Sequence, residues 1–115
     1  MSLFNQQKKI CKKFGLVYQP CDENLYLYIS KNFNKDDITI EGKRYIEVDN
    51  FSGWYIWSGD EPQEANLYEK ILIGDINQYS DALIKFLWLE RGTRFLIEED
   101  YINAEFDYRV EKMID

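Results

Sequence analysis

Apolar and polar positions change period several times along the chain. Between residues 3 and 14, Leu3, Phe4, Ile10, Cys11 and Phe14 share one helical face, while Lys8, Lys9, Lys12 and Lys13 take the other. This predicts an amphipathic helix stopped by Gly15. Its thin apolar stripe suits a helix docked on the protein rather than one lying on a membrane. Residues 20–24 read as a loop, and residues 25–29 (Leu-Tyr-Leu-Tyr-Ile) as a strand. Ile38-Thr39-Ile40, a Glu41-Gly42-Lys43 turn and Tyr45-Ile46-Glu47-Val48 predict a hairpin with Tyr45 opposite Ile40. A turn at Asp49-Asn50 leads into a strand over residues 53–57, so the three strands form an antiparallel meander.

The second half repeats the alternation. Residues 60–68 are polar, hold Pro62 and predict a loop, and residues 71–73 a short strand. Asp75 or Asn77 caps an expected helix over residues 77–89. Its apolar stripe is Ile76, Tyr79, Leu83, Ile84, Phe86 and Leu87, and Gly92 stops it. Strands follow at residues 94–98 and 101–107, joined by a turn through Glu98, Glu99 and Asp100. The charged tail, residues 108–115, is expected to be helical or frayed. The order helix, strands, helix, strands predicts a single α+β domain over residues 1–115: an antiparallel sheet flanked by an N-terminal helix and a central helix.

Composition narrows the chemistry. The chain has 115 residues, 45% apolar and 30% charged, as expected for one globular domain. It contains no His, which removes Ser-His-Asp and Cys-His catalysis and histidine metal sites. Neither glycine-rich phosphate cradle is present. The net charge is -7, although the first fifteen residues carry four lysines and no acid. An acidic body repels phosphate backbones, so no nucleic-acid partner is expected, and it favours a basic protein surface. No apolar run approaches 18 residues, and Leu3-Phe4 give way to polar residues before any signal-peptide core forms. A cytoplasmic protein without membrane contact is expected, with free thiols. Cys11 falls on the buried side of the first helix, and Cys21, after Pro20, is expected to be exposed.

The most distinctive segment is Ser52-Gly53-Trp54-Tyr55-Ile56-Trp57-Ser58-Gly59-Asp60-Glu61. Alternation places Trp54 and Ile56 on one strand face and Tyr55 and Trp57 on the other. One tryptophan is then expected in the core and the other near the surface, covered by a helix or available to a partner. The pairs Gly53-Trp54 and Gly59-Asp60-Glu61 resemble the thirty-third numbered family of bacterial immunity proteins of polymorphic toxin systems. Ile71-Leu72-Ile73, the predicted helix through Leu87 and Leu89, Gly92-Thr93-Arg94-Phe95-Leu96-Ile97 and Glu105-Phe106-Asp107 extend the likeness. It covers about residues 45–108, and the first forty residues show no matching motif. Leu89-Glu90-Arg91-Gly92 stands where many relatives have a Pro-containing turn.

The resemblance implies stoichiometric neutralisation of a cognate toxin by binding, with no catalytic residue, metal or cofactor. An acidic surface suits a toxin with a basic active cleft. The partner-binding residues implied are Tyr55, Trp57, Asp60, Glu61, Glu64, Glu98, Glu99 and Asp100. Two rival readings stand beside it. Tyr26, Tyr28, Trp54, Tyr55, Trp57 and Trp88 suit a housekeeping module that binds a small ligand or peptide on an aromatic sheet face. An enzyme would have to rest on carboxylates such as Asp60-Glu61 or Glu98-Glu99-Asp100, and no calcium-loop spacing supports the latter.

Overall fold

The computed structural model describes residues 3–99 and 101–107. The expectations for Asp100 and the 108–115 tail lie outside the described residues, as do those for the side chains of Leu3 and Phe4. One helix, α1 (Leu3–Lys13), precedes six strands: β1 (Tyr26–Ser30), β2 (Thr39–Arg44), β3 (Phe51–Ser58), β4 (Tyr68–Leu72), β5 (Thr93–Glu98) and β6 (Tyr101–Phe106). They form one sheet in the order β4-β1-β3-β2-β5-β6. The class is α+β, as the sequence predicts, but the sheet is mixed rather than antiparallel. β1 runs parallel to β3, and every other neighbour pair is antiparallel.

The expected hairpin over residues 38–48 does not form. β2 passes straight through Glu41-Gly42-Lys43 and pairs with β3 and β5 on either side. Gly42 is there for space: a Cβ would collide with the ring of Phe95, which packs across the strand. The chain turns instead at Asp49-Asn50, between Val48 and Phe51. Gly53 then interrupts β3 at φ 97°, where a side chain is strained and a Cβ would strike the Tyr45 carbonyl oxygen. The register of β3 against β1 shifts at the same point, from Tyr26 opposite Phe51 to Tyr28 opposite Tyr55.

The predicted central helix is also absent. Its segment is built from two short 3-10 pieces, Ile73–Gln78 and Ile84–Phe86, linked by i→i+3 bonds such as Phe86 N–H to the Leu83 carbonyl. Buried Ile73 and Ile76, then Leu83, Phe86 and Leu89, recur every third residue, which matches three residues per turn. Polar Ser80 and Asp81 lie between the two pieces. A third 3-10 turn, Ala65–Leu67, leads into β4.

α1 and the 3-10 pieces cover one sheet face. Leu27, Ile29, Ile40, Trp54, Ile56 and Phe95 meet Cys11, Ile76, Leu83, Phe86 and Leu87 there. The helix contributes Ile10 and Cys11 as expected, with Phe14 directly after its end, and also Gln7, whose amide donates to the Ile84 carbonyl at 3.0 Å. Cys11 and Cys21 are both free and buried, so the exposure expected for Cys21 is not found. Its thiol donates to the Leu87 carbonyl at 3.0 Å. Burial raises the Cys11 thiol above its ordinary range and pushes Cys21 up to about 11.

Candidate partner-binding surface

The register brings one end of every strand to a common rim. Ser30 lies opposite Tyr68, Ile29 opposite Ile56, Ile40 opposite Ser58, Thr39 opposite Glu98, and Glu98 opposite Tyr101. Three connections therefore meet at this end: residues 31–38, residues 59–67, and the turn between β5 and β6. Asp60, Glu61 and Glu64 lie on the second, Glu98 closes β5 beside the third, and Glu99 lies on the third. Sequence reasoning left them as two separate clusters. The structure places Asp36 and Asp37, on the first connection, between them.

Apolar anchors punctuate this acidic rim. Ile38 is 82% exposed, Tyr101 54% and Leu67 46%, so three of the most exposed large apolar side chains share it. Two shallow grooves open between the connections. One, of about 520 Å³, is lined by Lys35, Asp36, Asp37, Ile38, Ile40, Ile97, Glu98 and Glu99. The other, of about 470 Å³, is lined by Lys31, Asn32, Asp60, Glu61, Pro62, Gln63, Glu64 and Leu67. Ile38 and the two neighbouring aspartates were missed by sequence reasoning. Ile38 reads as part of a hairpin strand, whereas the structure leaves it exposed just before β2.

The face away from α1 carries Tyr55 and Trp57. Among the described residues no helix packs there. Tyr55 sits amid Tyr28, Tyr45, Phe51 and Tyr68, with ring centroids 5.1–5.5 Å away. Burial, with the Glu61 charge adding to it, raises the Tyr68 hydroxyl well above the usual phenol range. Trp57 is only 1% exposed, so neither tryptophan lies near the surface. Its indole donates to Glu41 at 3.2 Å, and Lys43 lies 5.6 Å over its ring. Lys43 in turn pairs with Glu61 at 3.2 Å, while Arg94 reaches Glu41 at 3.8 Å and Asp107 at 3.6 Å. A ladder of alternating charges thus crosses this face and ends at the rim. Glu61 is engaged by that ladder. Asp60, Glu64, Glu98 and Glu99 make no ion pair among the described residues.

The six aromatics of the ligand-module reading do not converge. Tyr26, Tyr28, Tyr55 and Trp57 share the face away from α1, where none of them is exposed. Trp54 packs on Phe95 on the covered face, and Trp88 lies against Tyr18. At the opposite end of the sheet, Arg44 is buried. Its Nε donates to the Ser52 carbonyl at 3.1 Å and its Nη1 to the carbonyls of Gln19 and Leu89, both at 2.8 Å. Nη2 lies 3.6 Å from Glu47, and burial lowers the Arg44 pKa. This residue serves the fold and not the rim.

The family model of the Imm33-like domain matches residues 6–107. The chain belongs to the Imm33-like domain family. The match takes in α1 and β1, where the sequence showed no matching motif. No curated protein and no solved structure matches the chain. Within this Imm33-like domain the two halves of the recognised motif have different places. Gly53-Trp54 is built into the covered core, and Gly59-Asp60-Glu61 opens the rim. Among the described residues no helix is long and apolar enough to cross a membrane.

Proposed function

We propose that this Imm33-like protein is an immunity protein that binds and neutralises a cognate toxin, and that the acidic rim is the surface it uses. The family carries the first part of the reading. The second rests on one observation: acids from three separate connections gather at one sheet end around exposed Ile38, Leu67 and Tyr101. A surface built only for solubility spreads its charges with both signs interspersed and leaves large apolar side chains single. An acidic rim with apolar anchors is the complement of a basic surface with apolar relief, such as the cleft of a nuclease toxin. The reading requires no catalytic residue, metal or cofactor, and it is set in the cytoplasm, where a self-directed toxin acts.

The test begins with the neighbouring gene. A large secreted protein with a variable C-terminal domain encoded there supplies the toxin. Expressing that domain in a bacterial host is expected to arrest growth, and co-expressing this chain is expected to restore it. The two proteins are expected to co-elute at equal stoichiometry, with affinity falling as salt rises. Arrest that this chain does not relieve, or unrelated housekeeping genes in that place, overturns the proposal.

A further inference from the structure

The groove between the 35–38 connection and the β5–β6 turn differs from an ordinary solvated acidic loop in having an apolar floor. Ile40 and Ile97 form its base, and Ile38 stands at its mouth. An isoleucine left in water forgoes the free energy that its burial would return. Ile38 is the most exposed of the large apolar side chains described, and it is the last residue of the 31–38 connection, directly before β2. The walls are Asp36, Asp37, Glu98 and Glu99, against the single cation Lys35. One Asp37 oxygen accepts the Ile38 amide at 2.8 Å, and Asp36, Glu98 and Glu99 make no ion pair among the described residues.

An apolar floor under unneutralised carboxylates selects its occupant by chemistry. A hydrocarbon side chain would strip water from the acids and return nothing. A bare divalent cation would have no use for three isoleucines. A long aliphatic stem ending in a cation satisfies both layers at once. Arginine fits better than lysine, because its planar fork can bind one carboxylate bidentately while its remaining N–H groups reach another. We infer that this groove is a socket for an arginine side chain of the partner, its stem lying on Ile38, Ile40 and Ile97 and its guanidinium held by Asp36, Glu98 and Glu99. That the arginine belongs to a toxin rests on the function proposed above; that the groove takes an arginine does not.

Two experiments keep these apart. In the first, the isotope-labelled protein is titrated at low salt with the capped tripeptide acetyl-Gly-Arg-Gly-amide, and with the same peptide carrying Lys, Gln or Leu. Saturable amide shifts confined to residues 36–40 and 97–99 are expected. The arginine peptide should need about a tenfold lower concentration than the Gln and Leu peptides, and the E98Q/E99Q variant should lose the response. Equal responses to the Gln peptide, or shifts spread equally over residues 60–64, overturn the socket. In the second, the neighbouring-gene toxin domain is bound to wild type, to I38A and to E98Q/E99Q, each shown to be folded by circular dichroism. A loss of at least about tenfold in affinity is expected for both variants. Unchanged affinity overturns the socket and leaves immunity standing. A wild-type protein that neither binds nor protects overturns immunity, and the peptide titration still decides the groove.

Discussion

The indole nitrogen of Trp54 donates to the carbonyl oxygen of Leu87 at 2.8 Å. The same oxygen receives the Cys21 thiol at 3.0 Å and Arg44 Nη1 at 3.4 Å. Three donors from three parts of the chain thus converge on one backbone acceptor just past the last 3-10 piece. The sheet thereby holds the segment where a helix was expected. It also explains the Gly-Trp half of the family motif as a piece of architecture: Gly53 admits the irregular backbone and Trp54 ties the sheet to the covering layer.

Breaking this junction should be costly. Trp54→Phe keeps a ring but removes the donor and leaves a gap, for an expected loss of about 1–3 kcal/mol. Arg44→Met removes the donor for the Ser52, Gln19 and Leu89 carbonyls at once, with an expected loss of about 3–5 kcal/mol. Urea unfolding of the variants checks both values, and Arg44→Met is expected to be the more damaging.

The two glycines flanking Arg44 and Trp54 should respond differently to alanine. At Gly42 the added methyl meets the Phe95 ring, which can shift, and an overpacking cost of about 1–3 kcal/mol is expected. At Gly53 it meets a backbone oxygen at a positive φ, so both strain and collision act. Gly53→Ala is therefore expected to lower the midpoint of unfolding further than Gly42→Ala. Equal midpoints would contradict this account of the β3 irregularity.

Stability should fall in alkali through the buried thiols. Burial raises the folded-state pKa of Cys21 to about 11 from an ordinary value of 9.0, because the thiolate is disfavoured inside. A raised folded pKa means that the contribution is fully present below pH 9, where both states hold the proton. It is lost between pH 9 and 11, as the unfolded thiol ionises first. Unfolding free energy measured across that window should decline less steeply in Cys21→Ala. Neither thiol should react with a thiol reagent at neutral pH until the protein is unfolded.

Reversing the charge of Asp60 and Glu61 tests the rim without touching the core. Asp60→Lys/Glu61→Lys loses the exposed Lys43–Glu61 pair, which is worth at most about 1 kcal/mol. Unfolding is expected to change by no more than that, while affinity for the toxin domain falls and its salt dependence weakens. Unchanged toxin affinity in a folded variant would remove Asp60 and Glu61 from the interface.

Local patterns determined much of this protein by themselves. The 3.6-residue stripe through Ile10, Cys11 and Phe14 with its glycine stop marked α1. The Asp49-Asn50 turn and the β5–β6 hairpin were equally plain, because each is a property of neighbouring residues. Most of the expected stripe Ile76, Leu83, Phe86 and Leu87 is indeed core, although its helix is not. Tertiary structure alone decided the rest. Gly42 reads as a turn until Phe95 lies across it, and no local pattern marks Arg44 for burial among the carbonyls of Gln19, Ser52 and Leu89. The parallel pairing of β1 with β3 depends on which strands meet across the sheet, and local periodicity does not encode that. The rim follows from the same cause: Asp36, Asp60 and Glu98 are far apart in sequence, and only strand order brings their connections to one end.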